Sequence, residues 1–195
     1  ILLSDTYQRS SRLPAKTRSI EPRSYRAALS RPLTPEQLLH SVLRATGNLE
    51  KTRALKSDPA KKFDRKGYFT GTHQDLPESY DEIRAIFIQT FGQPPGEPET
   101  EFTPGLNQSL FLMNDRLLLS WLQPAGNNLI KRLGDLKTAT EISKVLYLEV
   151  LSRSPSEIET AELDDYLKKN SARRSAALGE LVWALINSTE FRLNH

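Results

Sequence analysis

The feature that most restricts this chain is a set of helix-start signatures, each followed by apolar residues three or four positions apart. In Thr34-Pro35-Glu36-Gln37 a threonine can cap, proline occupies the first helical position, and the glutamine three residues after the cap completes a capping box. Leu38, Leu39, Val42 and Leu43 then form one stripe and Gly47 is a natural stop, which predicts a helix over residues 34–46 with one buried face. Thr138 and Glu141 make a second box ahead of Ile142, Val145, Leu146 and Val150. Ser154, Pro155 and Glu157 repeat the device ahead of Ile158, Ala161, Tyr166 and Leu167. Apolar residues at this period must be buried by packing helix on helix, so the fold class is all-α.

The rest of the chain fits an irregular multi-helix bundle with long polar loops. Residues 1–11 read as the tail of a helix, and Pro14 and Pro22 bracket an extended connector. Residues 48–78 are polar and Lys-rich, punctuated by Pro59, Gly67, Gly71 and Pro77, and are expected to make a long surface excursion without core. Ile83, Ile86, Phe87 and Phe91 predict a helix over residues 79–91, with Asp81 and Glu82 favourable near its start and Gly92 at its end. Residues 93–104 form a Pro-rich linker that can be neither helix nor central strand. A start signal at Thr103-Pro104 opens a helix apolar nearly all round, through Leu110, Phe111, Leu117, Leu118 and Trp121 to Leu122, expected to be central. A short helix around residues 128–133 follows. The last helix starts near Ser171, carries Leu178, Leu181, Val182, Leu185 and Ile186, and frays after Asn187 into Phe191. Residues 1–195 are read as a single helical domain, the C-terminal fragment of a larger protein, with no repeat at a fixed period.

Composition removes several chemistries. The chain has no cysteine, which excludes disulfides, thiolate metal sites, cysteine nucleophiles and covalent haem attachment. No apolar run is long enough to span a bilayer. Residues 1–66 hold 15 Lys and Arg against 6 Asp and Glu, whereas residues 67–195 hold 12 against 18, so the two parts are electrostatically complementary. The basic stretch containing Arg9, Arg12, Arg18, Arg23 and Arg26 is a candidate contact surface. It could track nucleic-acid phosphates; the simpler reading is that it neutralises the acidic part of the chain or another part of the parent protein.

Candidate sites are few. His40, His73 and His195 are dispersed and form no ligand motif, so no metal is expected, and no phosphate-binding glycine loop or strained nucleophile turn occurs. The acid pairs Asp81-Glu82 and Asp164-Asp165 sit where charge complements a helix start or faces water. Trp121 and Trp183 are expected in the core. Asn114-Asp115, and Asn187-Ser188 with Glu190, are polar groups embedded in apolar surroundings. Either they form a polar pocket, with Asn114, Asn187 and Glu190 as its candidates, or they cap neighbouring helix ends, which is the simpler reading.

Several segments, taken in order, carry a resemblance. They are Ser4-Asp5-Thr6-Tyr7-Gln8, Leu33-Thr34-Pro35-Glu36-Gln37-Leu38-Leu39, Thr90-Phe91-Gly92-Gln93-Pro94, Asn107-Gln108-Ser109-Leu110-Phe111-Leu112-Met113-Asn114, and the run from Leu181 through Trp183 and Asn187-Ser188-Thr189-Glu190 to Phe191. Together they resemble the C-terminal domain of unknown function 1553 of large secreted proteins of planctomycetes and related bacteria. Arg153-Ser154-Pro155 resembles that family's Arg-x-Pro turn. The resemblance implies a secreted or periplasmic multidomain parent with another uncharacterised domain upstream, often with a cytochrome-c-like or sugar-binding-like module. It assigns no activity and no cofactor. Many members carry a cysteine after the Phe-Gly-x-Pro element, where Glu97 to Thr103 has none, which weakens any transfer of a redox or metal role. The expected role is a non-catalytic structural or interaction domain whose partners are the upstream domains and extracellular glycans. The competing role is an accessory half of a composite polysaccharide-acting or redox-linked enzyme.

Overall fold

The computed structural model describes residues 31–56, 63–70, 75–92 and 106–194. The expected helix at residues 1–11, the connector after it, the 93–104 linker and the Thr103-Pro104 start lie outside the described residues. α1 (Pro35–Ala45) begins as its sequence dictates: Gln37 N–H donates to Thr34 Oγ1 at 3.3 Å, and Thr34 N–H donates to Gln37 Oε1 at 3.0 Å. It ends in a Schellman turn. Gly47, at φ +73°, lets its own N–H reach Arg44 O and the next N–H, of Asn48, reach Leu43 O. Leu38, Leu39, Val42 and Leu43 are all buried.

α2 (Leu49–Arg53) and α3 (Arg65–Thr70) fall in the stretch expected to carry no core. That expectation is corrected: Thr52, Gly67 and Tyr68 are buried, and Phe63 packs partly against the core. The lysines around them made the segment look wholly polar, but an aromatic pair every few residues is enough to bury one short face. α4 (Tyr80–Phe91) has its own capping box, Ser79 with Glu82, and packs against α1. Its Phe87 anchors an aromatic cluster, with ring centroids 5.5 Å from Phe91, 5.5 Å from Phe111 and 6.2 Å from Trp121. Each such pair contributes about 0.5–1.5 kcal/mol beyond the area it buries.

The expected central helix is two helices, α5 (Leu106–Asn114) and α6 (Arg116–Trp121). Asp115 lies between them with extended backbone, φ −67° and ψ 128°, and its carboxylate accepts from Leu117 N–H at 2.9 Å. Aspartate competes with the helical ladder and serves better as a cap, so the helix restarts there. Nor is the segment buried all round, since Leu110, Met113 and Leu119 are exposed.

α7 (Leu129–Asp135) is capped by Asn128, and α8 (Ala139–Leu151) by the Thr138–Glu141 box. α9 (Glu157–Lys169) begins two residues later than its expected box. Ser156 and Glu159 make the reciprocal bonds, not Ser154 and Glu157. Ser152, at φ 56°, has turned the chain out of α8, and Pro155 disfavours helical backbone at Ser154, so the next helix starts after it. A 3-10 turn (Ser171–Arg173) leads into α10 (Arg174–Ile186), which packs on α7, α8 and α9. The chain does not fray beyond Asn187. Ser188 Oγ accepts from Phe191 N–H at 3.2 Å and starts a further short helix, α11 (Thr189–Arg192), which buries Phe191. The one strand pair among the described residues closes the ends: β1 (Arg31–Pro32) runs antiparallel to β2 (Leu193–Asn194).

The α1–α4–α5 half and the α7–α10 half meet closely. A Cβ on Gly179 of α10 would lie 2.8 Å from Leu122 O, whereas one on Gly134 of α7 would meet nothing within 4 Å. Gly179→Ala is therefore expected to destabilise by about 1–3 kcal/mol by forcing two backbones apart. Gly134→Ala should stabilise by about 0.5–1 kcal/mol through helix propensity. Urea unfolding of the two variants beside the parent checks both signs.

Candidate functional site

Two polar constellations stand out, and they differ in whether their groups are already engaged. The first surrounds Tyr68. The break between α5 and α6 puts the Asp115 carboxylate beside the buried end of α3, where Tyr68 Oη donates to Asp115 Oδ1 at 2.7 Å. Tyr68 packs on Phe63 with centroids 5.5 Å apart and meets Phe69 edge-on at 5.7 Å. The Arg116 guanidinium lies 5.9 Å from the Tyr68 ring centroid. Burial, reinforced by the neighbouring carboxylate, holds the Tyr68 hydroxyl far above its ordinary range, so it stays a neutral donor. Burial also raises the Asp115 carboxyl, against the opposing pull of Tyr68 and of the Leu117 and Leu118 amides.

Outside this pair lies a cleft of about 520 Å³ between α3, α4 and α5. Its lining includes the exposed residues Phe69, Gln89, Leu110 and Asn114. A more open groove between α3 and α4 adjoins it, sharing Phe69 and Gln89 and adding Ile88, Arg65 and Lys66.

The second constellation centres on Arg153, in the turn after α8. Its Nε donates to Glu190 Oε1 at 2.6 Å and its Nη2 to Glu190 Oε2 at 2.9 Å. Nη1 and Nη2 donate to the two oxygens of Glu159 at 3.0 and 2.7 Å, and Nη1 reaches Ser154 O at 3.1 Å. The guanidinium also lies 5.1 Å from the Tyr147 ring centroid. Glu159 in turn caps α9, accepting from Ser156 N–H at 2.7 Å. One side chain thus joins α8, α9 and α11, and the paired guanidinium pulls the Glu159 carboxyl down to about 2.

The sequence candidates fall in different places. Asn114 is exposed on the Tyr68 cleft. The Asn187 amide donates one turn back to Trp183 O at 2.8 Å, and Glu190 belongs to the arginine cluster. Arg9, Arg12, Arg18, Arg23 and Arg26 lie outside the described residues, as do His73 and His195. His40 is half-buried on α1, and among the described residues no group of His, Asp and Glu is arranged to hold a metal. Trp121 is buried, and half-buried Trp183 donates its Nε1–H to Leu112 O at 2.9 Å. Tyr68 and Gln89 were missed by sequence reasoning. The signal available was the aromatic set Phe63, Tyr68 and Phe69 inside a Lys-rich stretch.

The family model for PSD1, protein of unknown function (DUF1553), matches residues 1–167. The chain belongs to this family. No curated protein and no solved structure matches it. The DUF1553 match takes in the Tyr68 cleft together with Arg153 and Glu159, and ends before α10.

The arginine cluster makes a stability prediction for this DUF1553 chain. The Arg153, Glu159 and Glu190 side chains are 32%, 25% and 36% exposed, between a surface pair and a buried one. Arg153→Ala should therefore destabilise by about 1–2 kcal/mol. Because the Glu159 carboxyl is lowered in the fold, its contribution is complete above about 4.5 and is lost as pH falls towards about 2. The stability gap between parent and variant, measured by urea unfolding, should shrink over that window. Asp115, shifted the other way, is common to both proteins and drops out of the difference.

Proposed function

We propose that this DUF1553 chain serves as a non-catalytic interaction domain within a secreted or periplasmic multidomain bacterial protein, contacting other domains of its polypeptide through the face formed by α3 and α4. The observation that carries this reading is the groove between those helices. Phe69 and Ile88, 39% and 40% exposed, line this one groove together, with Arg65 and Lys66 in the same lining. Exposed apolar side chains gathered in a groove with charged residues have the composition of a protein contact. Basic charges there would orient an acidic partner surface and speed its approach.

The competing reading, an accessory half of a composite polysaccharide-acting or redox-linked enzyme, draws less support. Glu190 enters the geometry as an ion-pair acceptor for Arg153, and the Asn187 amide is turned towards its own helix. The nucleic-acid reading depends on arginines outside the described residues.

Calorimetric titration of the separately produced upstream region into this chain tests the proposal. Association, with a rise in melting temperature of the mixture, is expected. Ile88→Asp, at an exposed position, should weaken it about tenfold or more while leaving the chain folded. An unchanged melting temperature with no heat of binding would refute the reading.

A further inference from the structure

We propose that the cleft between α3, α4 and α5 is a binding site for a neutral carbohydrate chain. This goes beyond the domain-contact reading, because it concerns the neighbouring cleft, which shares Phe69 and Gln89 with the α3–α4 groove, and a different class of ligand. The cleft, at about 520 Å³, has the size of a small-molecule site and is walled by residues of three helices and the α5–α6 junction. Its wall is fixed by the aromatic cluster of Phe87, Phe91 and Phe111 behind it and by the Tyr68–Asp115 hydrogen bond.

The chemistry of the lining selects the ligand. Gln89 and Asn114 are both exposed, and each amide can donate from nitrogen and accept at oxygen. That dual capacity matches adjacent hydroxyl groups, each itself a donor and an acceptor. Asp115 also belongs to the lining, and among the described lining residues there is no Lys or Arg that would hold an anionic ligand. Phe69, 39% exposed, contributes an aromatic ring to the lining, and Leu110, 48% exposed, contributes further apolar surface. A pyranose presents the complementary pair of surfaces: a rim of hydroxyls and a face of C–H groups, whose positive edges suit the negative face of an aromatic ring. A peptide is the weaker fit. Strand addition needs an open sheet edge, and an amphipathic helix needs an apolar trough; the cleft offers neither, with two amides and a carboxylate along its lining.

The test is a titration of the full chain, with the side-chain amide resonances of Gln89 and Asn114 followed by nitrogen–proton NMR. The probes are cellotetraose, xylotetraose and mannotetraose, beside a galacturonic acid tetramer and a proline-rich decapeptide. Saturable shifts of both amides with at least one neutral tetrasaccharide, with millimolar or tighter affinity, are the expected result. Asn114→Ala should weaken that binding about five- to tenfold, as loss of one or two hydrogen bonds would. Phe69→Ala should remove it, while Phe69→Trp, which keeps the ring surface and guards against a folding artefact, should retain it. Shifts only with the acidic sugar or only with the peptide would overturn the proposal in favour of those ligands. No shift with any probe would overturn it outright. The α3–α4 contact would survive either failure, since Ile88→Asp reports on it separately.

Discussion

A small buried hydrogen-bond network where three helix ends meet holds the two halves of this molecule in register. Thr46, Asn48 and Asn128 are almost fully buried polar residues in an otherwise apolar interior. Asn48 Nδ2 donates to Thr46 Oγ1 at 3.0 Å and to Trp121 O at 3.2 Å, which ties the end of α1 to the end of α6. Leu129 N–H donates to Thr46 O at 2.9 Å, and Asn128 Nδ2 donates to Gln123 O at 2.7 Å, which brings in the start of α7. A helix end buried without partners would leave carbonyls unsatisfied at about 1–3 kcal/mol each. Hydrophobic packing alone would tolerate some sliding of one half on the other; these directional bonds do not. The left-handed Gly47, packed against the backbone of Asn128, allows the approach.

From that junction the position of the cleft follows. With the end of α6 pinned by Asn48, and α5 held against α4 by the Phe87–Phe111 contact, the polypeptide between them must change direction within a few residues. Asp115 makes that change. Its side chain caps the new helix, and the same oxygen that accepts from Leu117 N–H also receives the Tyr68 hydroxyl, so α3 is secured by the residue that interrupts the long apolar segment. Desolvation raises the Asp115 carboxyl, which means that its ionised form is tolerated there rather than favoured. A straight helix would have avoided that penalty, but it would have filled the angle in which the cleft opens.

How much of this was legible in the sequence depends on whether the deciding interaction is local. The cap at Thr34, the stop at Gly47 and the box at Thr138 were readable because the partners are three or four residues apart, and the all-α class followed from them. Two misreadings have the opposite cause. Ser154 and Ser156 offer similar local patterns, and the choice between them is settled by Pro155 and by Arg153, which holds both Glu159 and the distant Glu190. The break at Asp115 was hidden because the apolar residues on either side continue at helical spacing, while its partner Tyr68 is 47 residues away. The pairing of polar residues in the Asn114-Asp115 element was divided in the same way. Asp115 caps a helix, as the simpler reading held, yet Asn114 beside it is exposed on the cleft.

The two polar constellations therefore carry different kinds of work. Around Arg153, both carboxylates and the guanidinium satisfy one another, and their effect is to lock the α8–α9 turn onto α11. A ligand arriving there would have to replace charge-assisted bonds that already exist, each stronger than an ordinary hydrogen bond. Around Tyr68 the arrangement is inverted. Tyr68 is buried and Asp115 half-buried, and they are bonded to each other, while Phe69, Gln89 and Asn114 in the same lining are exposed. Because α3, α4 and α5 are already in place, a ligand would not have to order the wall it binds, and little of its interaction energy would be lost to rearrangement. Among the described residues, the proposed carbohydrate site therefore asks a ligand to displace no charge-assisted pair, whereas the Arg153 cluster would have to give up several.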